Sequence, residues 1–74
     1  MTNSEATDLS MRMRARADAD GLPSTHPLRI AADKFDSATD GFFAKDQTVN
    51  VMQFMGHWSR ARRAWCDYSG EDLI

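Results

Sequence analysis

The hydrophobic positions of this chain fall into three stretches, and the last is the most regular. Between Thr48 and Ser69, the residues Val51, Phe54, Trp58, Ala61, Trp65 and Tyr68 recur three or four apart. That spacing lays them along one stripe of an α-helix. Both tryptophans, the only tyrosine and one of the four phenylalanines sit on this stripe, so a core has to form around it. A helix over residues 48–69 follows, capped by Asp46 or Thr48 and ended by Gly70.

A second stripe, Leu28, Ala31, Phe35, Ala38 and Phe42, is flanked by Ala32, Thr39 and Phe43 and predicts a helix over 27–44. Thr25 or His26 stands at its N-cap, and Pro27 occupies the first turn, where its missing N–H costs nothing. Gly41 does not stop this helix in our reading. Phe42 stays in phase with Phe35, and a Schellman stop would want an apolar partner where Asp36 and Ser37 stand. The connector Lys45–Gln47 is short, which makes the two helices antiparallel neighbours. Their seams alternate large and small (Phe35, Ala38, Phe42 against Trp58, Ala61, Trp65), so the rings of one can lie over the alanines of the other.

The first stretch is ambiguous. Leu9, Met11, Met13, Ala15, Ala17 and Ala19 alternate with polar residues, which is the period of a strand. The residue types decide for a helix, because Met, Arg and Ala favour helices and no β-branched residue interrupts them. A helix over 5–20 has a thin apolar face, Ala6, Leu9, Met13 and Ala17, and is expected to order against a partner. Thr2 and Glu5 have capping-box spacing, and Gly21 is placed to end the helix. Residues 1–24 therefore read as an N-terminal arm or short helix, and 25–74 as a helical hairpin. The expected fold is all-α: a three-helix unit that a second copy could complete as a bundle.

Composition sharpens this picture mainly by exclusion. Seventy-four residues allow a single domain, and a chain this short buries only about 60% of its unfolded surface. Cys66 is the only cysteine and the two histidines, His26 and His57, lie far apart, so neither a disulfide nor a zinc site is expected. No cofactor motif is present. Nine Lys+Arg against eleven Asp+Glu give a net charge of −2, which argues against a generic nucleic-acid binder. No apolar run approaches the roughly 20 residues that cross a bilayer. The first residues, MTNSEATDLS, resemble no secretory signal, so a cytoplasmic protein is expected. With no disulfide or metal to support a small core, self-association or docking onto a larger protein is the expected support.

Two arginine groups remain, Arg12–Arg14–Arg16 and Arg60–Arg62–Arg63. At about 100° per residue, Arg62 lies at the edge of the apolar stripe. It is expected to reach across the seam to Asp33, Asp36 or Asp40. Arg60 and Arg63 point away from the core and are open to a partner. Met52 and Met55 widen the apolar face of the third helix and Phe43 that of the second. These three read equally as partner contacts or as internal packing. His57 has no carboxylate or nucleophile at helical spacing, and Cys66 reads as a half-buried small hydrophobe. No catalytic constellation emerges. The sequence points to a non-catalytic helical interaction module, an accessory or inhibitory subunit or a self-associating bundle, binding through Arg60, Arg63, Met52, Met55 and Phe43. The alternative reading is a small nucleic-acid-associated regulator that uses the arginine groups.

Overall fold

Every helix of the protein begins at a polar side chain that takes up its first free N–H groups. In the computed structural model, which describes all residues from Met1 to Ile74, three helices follow one another: α1 (Asn3–Ala19), α2 (Pro27–Phe42) and α3 (Val51–Ser69). No strand is present, and the fold class is all-α. Thr2 and Glu5 form a reciprocal capping box at 3.1 and 3.2 Å, so α1 starts two residues earlier than its periodicity suggests. Its end is a Schellman motif, in which Leu22 donates to Ala17 and Gly21 to Asp18, with Gly21 at φ +64° where a Cβ would be strained. His26 caps α2, its Nδ1 accepting from the Leu28 amide at 3.1 Å.

The start of α3 differs from expectation. Neither Asp46 nor Thr48 caps it; Asn50 does, in a second capping box with Gln53 at 2.9 and 3.0 Å. Thr48 and Val49 instead fold back against α2. The chain turns there through Gln47, which has a positive φ of 40°. Gly41 makes the close approach feasible. A Cβ on it would lie 2.5 Å from Val49 Cγ2 and 2.8 Å from Thr48 Oγ1. The helix runs through Gly41 as expected and ends at Phe42, with Phe43 as its C-cap.

The seam between α2 and α3 is built from rings. Phe42 stacks on Phe54 at 4.5 Å, and Phe35 meets Phe54 and Trp58 at 5.7 and 5.3 Å. At the other end His26 meets Tyr68 edge to face. The partners therefore run in opposite chain order, as in an antiparallel hairpin. Val51 is the one member of the expected stripe that lies outside the core, being 56% exposed at the first position of α3.

The face expected for α1 is buried at Ala6, Met13 and Ala17, and Ser10 joins it, so the helix carries four fully buried residues. Ser10 is buried beside Leu9, which packs partly buried against the core; the Ser10 hydroxyl donates to the Ala6 carbonyl at 3.2 Å and so is satisfied without water. Thr39 is buried in the same way through the Phe35 carbonyl. Ala6, Met13 and Ala17 belong to one cluster with Phe35, Trp58 and Trp65. α2 lies between the other two helices, so it buries Ala32 and Thr39 beside its expected stripe.

The tail completes the core. Leu73 is fully buried while Ile74 beside it is 74% exposed. Arg12 of α1 donates to the Leu73 carbonyl at 2.9 Å and lies over the Trp65 ring. Arg62 of α3 donates to both oxygens of Asp72, at 3.2 and 2.6 Å, and lies over Trp58. The expected pairing of Arg62 with Asp33, Asp36 or Asp40 is thus replaced. Asp33 and Asp36 are already held by Arg14 at 2.8 and 3.1 Å.

Candidate interaction surface

The five residues singled out from the sequence fall into two groups. Met52 and Met55 are 81% and 50% exposed on the first turns of α3, next to the exposed Val51. Arg60 and Arg63 are exposed further along the same helix, and neither takes part in an ion pair. At about 100° per residue, Met52, Met55, Ser59 and Arg63 share the outward side of α3, with Arg60 at its margin. Phe43 stands apart. It packs edge-on against Phe42 and Phe54 at 4.9 and 5.8 Å and is half-buried there. Its internal contacts account for most of its apolar surface.

The other arginines are occupied. Arg14 bridges to α2, where its hydrogen bond to Asp33 raises its pKa. Arg16 pairs with Asp20 at 2.8 Å and lies over the Tyr68 ring. Arg29 reaches Asp18 and the Leu22 carbonyl. The Tyr68 hydroxyl donates to Asp20, which raises the phenol's pKa and, with Arg16, lowers that of the carboxyl. Asp72 is lowered by its hydrogen bonds from Arg62 and the Ile74 amide. Of the first arginine group, Arg12, Arg14 and Arg16 all serve contacts inside the protein.

Cys66, expected half-buried, is exposed. No three His, Cys, Asp or Glu side chains gather as a metal would require, and no helix is long and apolar enough to cross a membrane. Sequence reasoning passed over one polar feature. His57 lines a groove of about 250 Å³ between α2 and α3, with Lys34, Ser37, Thr48, Val49 and Gln53 around it. The histidine and the lysine were visible; that the 48–49 segment would close one end of the seam was not.

Fold and surface together define a small all-α protein with one helix face left apolar and cationic. No protein-family model, curated protein or solved structure matches the chain.

Proposed function

We propose that the protein is a non-catalytic helical interaction module, an accessory or inhibitory subunit that docks the outward face of α3 onto a protein partner. The observation that carries this reading is the company kept on that face. Val51, Met52 and Met55 are exposed together on the first turns of one helix, whereas the other exposed apolar groups, Met1, Met11, Ile30 and Ile74, are scattered over α1, α2 and the two termini. Arg60 and Arg63 stand beside them without carboxylate partners. Met and Arg are enriched at the centres of interfaces, where Lys and Glu are depleted. Burying two methionines contributes roughly 1.5–3 kcal/mol each. Held in solvent, the two arginines add little to stability. The partner this face suits presents an apolar groove with acidic residues at its rim. The nucleic-acid reading has less support, because Arg12, Arg14 and Arg16 are spoken for and two cations remain on the face.

The test uses a photoreactive side chain at position 59, crosslinked in the native host. The parent is compared with M52E/M55E and with R60E/R63E. A crosslinked protein that disappears in both variants, with unchanged helicity and melting, supports the reading. Capture that is indifferent to both substitutions overturns it. Nucleic acid recovered in place of protein, with steep salt dependence, would favour the alternative.

A further inference from the structure

The groove between α2 and α3 lies outside the docking face. Five polar side chains line it, Lys34, Ser37, Thr48, Gln53 and His57; the first four are exposed and keep donors free of contacts within the protein. Lys34 makes no ion pair, and the Ser37 and Thr48 hydroxyls make no hydrogen bond within the protein. Gln53 spends its carbonyl oxygen on the Asn50 amide, leaving its NH₂ group over. His57 Nδ1 is buried without a partner within the protein, as is Trp65 Nε1 in the core. Buried polar atoms left in this state are rare in folded proteins, since each carries a desolvation penalty. Elsewhere in this chain buried hydroxyls are satisfied, as Ser10 and Thr39 are by their own helices.

The sign of the site is equally one-sided. No carboxylate lines the groove; Asp33 and Asp36 are turned to Arg14 on the other flank of α2. A metal cation would find one imidazole and an ammonium, which repels it. An apolar ligand would leave the polar groups unsatisfied. An oxyanion fits both the charge and the donors. A carboxylate has two oxygens, whereas a phosphate group has three or four arranged tetrahedrally, closer to the number of donor groups around a space of about 250 Å³.

The end wall of the groove is also built at a cost. Thr48 and Val49 reach it only because Gly41 has no side chain to exclude them, and because Gln47 accepts a left-handed backbone. A non-glycine residue at positive φ is unfavourable, and backbone strain of this kind gathers at functional positions. We infer that the α2–α3 groove is a binding site for a phosphate group, inorganic or carried as a monoester on a small molecule, held by Lys34, Ser37, Thr48, Gln53 and His57.

The probe is inorganic phosphate, followed by two-dimensional amide NMR and by the imidazole signals of His57, with sodium chloride of equal ionic strength as reference and acetate as a carboxylate. Saturable shifts at Ser37, Thr48, Val49 and His57 in the millimolar range are expected with phosphate. Lys34→Gln removes a charge-assisted contact and should weaken binding about tenfold; Lys34 is exposed and unpaired, so the fold survives the change. Arg63→Glu should leave the shifts as they are, because Arg63 stands on the side of α3 away from the groove. Shifts that grow linearly with concentration, that chloride reproduces, or that persist unchanged in Lys34→Gln overturn the inference. Acetate binding as tightly as phosphate would overturn the choice of phosphate.

Discussion

Gly41 shows how a single atom can reverse an ordinary rule. Replacing a glycine inside a helix by alanine usually stabilises by about 1 kcal/mol. Here the added Cβ would meet Val49 Cγ2 at 2.5 Å, a contact that forces the 48–49 segment outward. Overpacking of this kind costs roughly 1–3 kcal/mol, so Gly41→Ala should lower the urea midpoint, and Val49→Ala in the same background should recover part of the loss. Tyr68 supplies a second test. Its hydroxyl donates to Asp20, and its raised pKa means that the phenol's contribution is complete below the unfolded value of about 10 and fades as pH rises through the folded one. Asp20 has a lowered pKa, so its share is present above the unfolded carboxylate value of about 3.9 and fades as pH falls through the folded one. The contact therefore holds across the neutral range. Tyr68 is the only tyrosine, so absorbance at alkaline pH reports it alone. Its ionisation midpoint should exceed that of free tyrosine and return toward it in Asp20→Asn.

The helices themselves were legible because their signals are local. The periods of α2 and α3, the Thr2–Glu5 box, Gly21 and Gly70 can all be read within a few residues of where they act. Asn50 and Gln53 form a box of the same spacing, so the start of α3 was readable too, though Asp46 and Thr48 competed for the role. The burial of Ser10 was not readable, since it depends on which side of α1 faces α2. Met52, Met55, Arg60 and Arg63 were placed by helical phase, which is reliable in mid-helix. Phe43 falls just past the end of α2, where phase no longer fixes direction, and it turned toward Phe42 and Phe54. Least visible was the anchor of the tail, because Arg12, which holds it, lies 61 positions away. Leu73 is fully buried, and truncating a buried leucine costs roughly 2–5 kcal/mol. Leu73→Ala should therefore destabilise the protein by that amount, and Ile74→Ala by almost nothing. Chemical denaturation of the two variants makes the comparison.

For the whole molecule the question is whether three helices suffice without support. A monomer of this mass is expected to expose about 4,600 Å²; this chain exposes 4,681 Å². Its Cα radius of gyration, 11.8 Å, is likewise close to the roughly 11.3 Å expected for its length. The chain has thus buried as much as a free-standing protein of its size does, and all three helices share that core. Unfolding should be a single transition, with the same midpoint by tryptophan fluorescence and by helicity, and independent of concentration between about 5 and 500 μM. A midpoint that rises with concentration would mean that a second copy contributes to the fold. The tail adds a consequence in time. It needs Arg12 from one end of the chain and Arg62 from the other, both already in place, so it can close only after α1 and α3 have come together. Its interactions are then absent from the folding transition state, and their loss falls on the reverse step. Leu73→Ala should leave the refolding rate nearly unchanged and let the native state open faster, making residues 71–74 the clasp that sets the protein's lifetime.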